Sequence, residues 1–216
     1  MGEVGRSRPA QAREKEAARL KYSGNITGGA LLVRESRVVA RLLVEGPDRE
    51  TARERLLAGN LLQNSSPETT RKYFSLIVPR LESLPPAMLG FIASGTEELV
   101  RMTLFVAVLR SLDLVADFVA DVLLARVRSF DTALQRTDWS RFIEERAAVD
   151  PSIHDWSETS RKKMGQVVFR MLAEAGYLQS TRSLGIVFPS VPPELVAALE
   201  ADGDGRTLKL LRLGRG

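Results

Sequence analysis

Residues 99–127, LVRMTLFVAVLRSLDLVADFVADVLLARV, are the most apolar stretch of the chain, and the fold turns on how they are read. A membrane-spanning helix needs about 20 largely uncharged residues. Here Arg101, Arg110, Asp113, Asp117, Asp121 and Arg126 interrupt the run every few positions. The stretch is therefore expected to form a pair of amphipathic core helices, over 96–111 and 112–129. Asp113, Asp117 and Asp121 lie four apart and so share one helical face. One helix cannot wrap three carboxylates around a cation. With Arg110 and Arg126 within a turn, the face reads as solvated and salt-bridged.

The pattern stays helical on both sides. Upstream, Leu31, Leu32, Glu35, Val38, Val39, Leu42 and Leu43 recur at helical spacing from about Ala30, and Gly46-Pro47 ends that run. Asp48 is placed to cap a second helix reaching Ala58, which Gly59-Asn60 stops. A third begins near Ser66, with Ser65 and Ser66 competing as its cap and Pro67 in the first helical position. Pro79 is expected to kink or shorten it. Pro85-Pro86 is a break, with a short helix over 87–93 behind it. Downstream, a helix over 137–148 ends at Asp150-Pro151. Ser157 opens the next, which runs to Ala175 and is closed by Gly176. Beyond that, prolines and glycines punctuate shorter segments: 193–201 reads as a helix, 184–188 and 206–213 as strands. The fold class is thus all-α in the main, a compact helical bundle with two helix-turn-helix-like segments and a small β-wing near the C-terminus. The organisation is a basic arm over 1–22, a helical domain over 23–150, and a C-terminal helix-turn-helix or winged-helix-like region over 151–216.

Composition narrows the chemistry. The 216 residues are 44% hydrophobic and 27% charged, enough chain to bury a core. With no cysteine there are neither disulfides nor thiolate metal sites. The single histidine, His154, reads as a loop residue after Pro151 and rules out sites needing several imidazoles. Neither a G-x-x-x-x-G-K-[ST] nor a G-x-G-x-x-G phosphate loop occurs. Trp139 and Trp156 stand at helix starts, where packing explains them better than base stacking. The N-terminus lacks an apolar signal-peptide core. The expectation is a cytoplasmic, non-enzymatic protein without a cofactor or metal, and monomeric.

Charge is mild: it supports a polyanionic partner without establishing one, and the excess of arginine equally suits genomic base composition. The net charge is +4, and arginine heavily outnumbers lysine; guanidinium forks suit phosphates and guanine edges. Residues 1–22 carry six basic and three acidic side chains, 83–150 seven and ten, and 203–216 four and one. Within this distribution two basic helix starts stand out. In 48–81 a helix, a polar link and a capped helix place Thr69, Thr70, Arg71 and Lys72 in the first turn and a half. That is where a recognition helix meets bases or phosphates. The same pattern also suits a plain helical hairpin with solvated charges. In 157–182, Thr159, Ser160, Arg161, Lys162 and Lys163 crowd a helix start, against the macrodipole, where a phosphate would compensate. The turn at 176–178 and the strand expected at 184–188 make this segment resemble a winged helix, with Arg182 near the wing. The alternative is a surface charge run on a core helix.

Tyr22-Ser23-Gly24, Leu31-Leu32-Val33-Arg34-Glu35-Ser36-Arg37-Val38-Val39-Ala40, Asn60-Leu61-Leu62-Gln63-Asn64 and Ser66-Pro67-Glu68-Thr69-Thr70-Arg71, in that order and spacing, resemble the BrxA family of bacteriophage-exclusion (BREX) systems. The resemblance continues through 157–178. It implies a small all-helical protein that binds double-stranded DNA through two helix-turn-helix motifs, at Thr69–Lys72 and Thr159–Lys163. It also implies operon partners that include a methyltransferase and ATPases. The residues by themselves leave two other classes open. One is an interaction module whose acidic central helices dock another protein of the defence system. The other is an RNA-binding helical module.

Overall fold

The structure, a computed structural model, describes residues 22, 25–64 and 66–214. Apart from Tyr22, the basic arm over 1–22 lies outside the described residues, as does Ser65. After a 3-10 turn (Asn25–Gly28) come α1 (Val33–Val44), α2 (Arg49–Ala58), α3 (Pro67–Glu82), α4 (Pro86–Ser94) and α5 (Glu97–Ser111). Then α6 (Asp113–Phe118) runs through a π turn (Val119–Leu123) into α7 (Leu124–Arg128). Next are α8 (Arg136–Ala147), a 3-10 turn (Pro151–Asp155), α9 (Glu158–Glu174), α10 (Pro193–Ala201) and α11 (Gly205–Leu211). Among the described residues the fold is all-α, with no β-strand.

The helix starts follow their side chains. Asp48, Ser66, Thr96 and Ser157 each accept the backbone N–H three residues on, which satisfies one of the orphan donors of a helix N-terminus. The helix stops follow their backbones: Gly46 and Gly176 take positive φ, 85° and 86°, where a Cβ would be strained.

The 99–127 stretch departs from the expected amphipathic pair. From Leu99 to Leu109 every residue of α5 except Arg101 is buried, because α1, α3, α4, α6 and α11 pack around it. A helix buried on all sides has no polar face to show, so its sequence lacks a stripe. Arg101 pairs with Glu97 at the surface, and Arg110 leaves the core to reach Asp202 at 2.6 Å and Asp204 at 2.8 Å. Two of the three aspartates of the face, Asp117 and Asp121, are salt-bridged, but by distant arginines. Arg146 pairs with Asp117 and Asp121, and Arg206 with Asp117. Arg126 turns to Asp131 and Asp138 instead.

Other expectations are corrected. Pro79 does not end α3, which runs on to Glu82. Residues 206–213 are not a strand: Asp204 accepts the Thr207 N–H and starts α11, so the Gly203-Asp204-Gly205 turn is also a helix cap and an anchor for Arg110. The burial of Asp204 works against its charge. The Thr207 hydrogen bonds and Arg110 outweigh that and hold the carboxyl below its usual range. Residues 184–188 are not a strand either: what the expected wing amounts to is isolated bridges at Gly185 and Ile186, described below.

Residues 25–32 form a strap. Ile26, Ala30 and Leu31 are buried in the core, and the 25–28 turn packs on both α3 and α9. A Cβ on Gly28 would lie 2.2 Å from Leu76 Cδ1 on α3, so a side chain there would require Leu76 to move. Tyr22 hydrogen-bonds through its N–H to Asp150 and through its hydroxyl to Asp117.

Candidate nucleic-acid interface

The first basic element is built on α2 and α3, with α1 packed on both. Its link, 59–66, is longer than the motif's turn of about 3–4 residues, and Asn60 and Gln63 take positive φ within it. The starts of α2 and α3 frame a groove of about 490 Å³ lined by Arg49, Glu50, Arg53, Arg71, Lys72, Phe74 and Ser75. Four cations face one acid there, but two of them are already paired. Arg53 pairs with Glu50, and Arg71 lies 3.6 Å from Glu68. The Glu68 carboxyl is held below its usual range by its own backbone N–H and the Ser66 hydroxyl, so it is ionised at neutral pH. Thr69 is half-buried at the capped turn, its hydroxyl against Ser66 Oγ. Thr70 is buried, its hydroxyl hydrogen-bonded by Asn64 at 3.1 Å, so it faces the interior and not a ligand.

The second element runs from α8 through the 151–155 turn to α9 and a short reversal of the chain. After α9, Leu178 bridges antiparallel to Ile186, and Gly185 bridges to Ala133 ahead of α8. Flanking hydrogen bonds run from Gln179 N–H to Gly185 O, Val187 N–H to Tyr177 O, Leu134 N–H to Leu184 O and Ile186 N–H to Thr132 O. The order is segment, helix, helix, segment, turn, segment, with the last segment between the other two. The segments follow the order expected of a winged helix but are joined by single bridges, not strands. Prolines from Pro189 onward stop the ladder from growing. The wing tip, 180–183, is knitted by Ser180 Oγ, which accepts the N–H groups of Arg182 and Ser183. Arg136, the first residue of α8, donates to Thr181 O at 3.1 Å and braces the tip.

The α8–α9 contact is close because of one glycine. Trp139 donates its indole N–H to Arg161 O at 2.8 Å, and a Cβ on Gly165 would lie 2.5 Å from Trp139 Cδ1. Trp139, Phe142 and Phe169 surround Phe118, with ring centroids 5.3–6.0 Å away, and this cluster seats both helices on the end of α6.

On the outer face of α9, Thr159, Lys163, Gln166 and Arg170 are exposed at spacings of four, three and four, so they form one stripe, with Lys162 beside it. Among the described residues no acidic side chain pairs with Lys162, Lys163 or Arg182. Ser160 is engaged by the Ser157 cap. Arg161 points elsewhere: its guanidinium donates to Trp156 O, Ile153 O and His154 O, so it caps the 151–155 turn.

Of the sequence-derived residues, the structure places Lys162, Lys163 and Arg182 on solvent with their charges free, Thr159 beside them, and Arg71 and Lys72 in the smaller groove. It turns Thr70 and Arg161 inward. Sequence reasoning missed Gln166 and Arg170, which the stripe spacing on α9 predicts, and Arg49 and Arg53, which are four apart on α2. The brace from Arg136 needed tertiary structure.

The BrxA family model matches residues 20–203. The chain belongs to the BrxA family. It is 35% identical over 190 residues to a BREX protein BrxA from Escherichia coli O9:H4 (strain HS), covering 88% of this chain and 89% of that one. It is 26% identical to a BREX protein BrxA from Paramagnetospirillum magneticum, covering 89% and 97%. The crystal structure of an uncharacterized protein from Magnetospirillum magneticum superposes with a TM-score of 0.81 at 24% identity, over 90% of this chain and all of that one. The BrxA fold is therefore shared well beyond sequence likeness. Among the described residues of this BrxA family member, no helix is long and apolar enough to cross a membrane. No group of three or more His, Asp or Glu side chains among them is arranged to hold a metal ion.

Proposed function

We propose that this chain is a non-enzymatic, cytoplasmic component of a BREX phage-defence system that binds double-stranded DNA mainly through phosphate contacts. Other BREX proteins, such as the methyltransferase and the ATPases, are its expected partners. The observation that carries the reading is the second element. A braced helix pair and a reduced wing present Lys162, Lys163 and Arg182 unpaired, and a helix of this kind enters the major groove while flanking cations take the phosphates. The α2–α3 groove adds cations of the same type.

Cations that replace condensed counterions make binding fall steeply with salt. Titration of a labelled duplex at two salt concentrations tests this. The expected result is tight binding at low salt and a loss of affinity of roughly tenfold or more on a fourfold rise in salt. Absent binding at low salt, or indifference to salt, overturns the reading. Competition with structured RNA separates the RNA-binding class, since a winged element that reads B-form grooves prefers duplex DNA.

A further inference from the structure

The strap ties one basic helix to the other. From α3, Arg80 donates to Ala30 O at 2.7 Å and to Gly29 O at 3.5 Å. From α9, Glu174 accepts the Leu31 N–H at 2.8 Å through one carboxylate oxygen. Through its other oxygen it accepts from Arg170 Nε, also at 2.8 Å, and Arg170 lies on the exposed basic stripe. Three consecutive residues, Gly29, Ala30 and Leu31, are thus held by one side chain from each candidate recognition helix. Arg80 is buried without an acidic partner among the described residues. A buried guanidinium devoted to two backbone carbonyls is a costly way to fill a core, and its evident effect is to fix the 29–30 backbone. Burial pushes its pKa down to about 10, so it keeps its charge at neutral pH.

We infer that the 25–32 strap sets the relative placement of the two basic elements, with Arg80 and Glu174 as its positioning residues, so that both elements grip one duplex at a fixed spacing. This rests on the DNA-binding reading. It adds that the two contacts are coupled through these side chains. Two linked sites on one ligand bind far more tightly than either alone, by a factor on the order of 100 or more, and only while their geometry permits simultaneous engagement.

The test compares a duplex of about one helical turn with one of about three turns, the longer leaving room for two contacts on one ligand. The full-length chain and its Glu174→Ala and Glu174→Gln variants are each titrated with both. Gln keeps an acceptor for the Leu31 N–H; Ala does not. The wild type is expected to favour the long duplex by about 100-fold. Glu174→Ala should lose at least about tenfold of that preference and Glu174→Gln should restore most of it, whereas any gain in short-duplex affinity from freeing Arg170 is common to both variants, since both remove the same charge. The inference is overturned if Glu174→Ala weakens both duplexes alike, which marks a merely structural role, if it weakens neither, or if the wild type shows no length preference. Failure of the wild type to bind any duplex at low salt overturns the DNA-binding reading itself, a result distinct from the other three.

Discussion

The two basic elements carry similar residues and hold them differently. In the α2–α3 groove, Arg53 and Arg71 have acidic partners one helical turn away. On α9 and the wing, Lys162, Lys163 and Arg182 have none among the described residues. The supports differ too. The 59–66 link carries two residues at positive φ and an exposed Leu61. The second element is fastened by the Trp139 indole N–H, the Arg136 brace and a buried aromatic cluster. Free charge on a rigid frame loses little on meeting a phosphate, whereas paired charge must first give up its partner. On the proposed function, the local pairing of the cations, and not their number at a helix start, ranks the two elements.

The largest expected effect breaks this comparison most directly. Lys162→Ala, Lys163→Ala and Arg182→Ala together should lower the affinity for duplex DNA by about 100-fold at moderate salt and reduce the log–log salt slope by about 3, one per phosphate contact. Fluorescence anisotropy across a salt series reads both. Because these side chains are solvent-exposed, the melting temperature should stay put. If Arg71→Ala with Lys72→Ala costs as much, the ranking of the two elements is wrong.

A smaller effect asks whether the frame matters as well as the charge. Gly165→Val would drive a side chain into the Trp139 ring, where the nearest ring atoms already stand 2.5–2.8 Å from an ideal Cβ. The indole cannot retreat without breaking its hydrogen bond to Arg161 O. Overpacking of this kind costs about 1–3 kcal/mol, seen as a lower urea midpoint. DNA affinity should fall with it, since α9 shifts against the wing while the α2–α3 groove is untouched. Unchanged stability would mean that α8 and α9 are less tightly joined than their geometry states.

Much of the fold was legible because local chemistry decided it. Asp48, Ser66, Ser157 and Gly176 act where their side chains or lack of one dictate. What failed was tertiary. The stripe on α5 vanished because neighbours enclose it on all sides. Arg161 looked like a ligand contact within a cationic run. It turned inward to the carbonyls of Ile153, His154 and Trp156, and a one-dimensional pattern does not display which carbonyls a side chain reaches. Thr70 was misplaced by one residue's rotation around α3: Thr69 and Arg71 flank it outside, while its own hydroxyl meets Asn64. The wing was half visible, since its hairpin lies in sequence while its third segment, 132–134, sits more than forty residues upstream.

The smallest expected effect bears on the weaker element alone. Glu68 and Arg71 are both well exposed, and their separation of 3.6 Å is loose for an ion pair. Such pairs are worth about 0–1 kcal/mol, so freeing Arg71 should help binding only slightly. Glu68→Gln removes the charge and keeps the shape. It should raise duplex affinity about twofold to threefold at low salt, with the gain fading as salt screens both species. Since Glu68 lies in the first turn of α3, where a carboxylate favours the helix dipole, the variant should also lose a few tenths of a kcal/mol of stability. The two changes therefore run in opposite directions, and tighter binding cannot be credited to a firmer helix. No gain in affinity would mean that Arg71 stays off the duplex even when free, leaving the second element to hold the DNA alone.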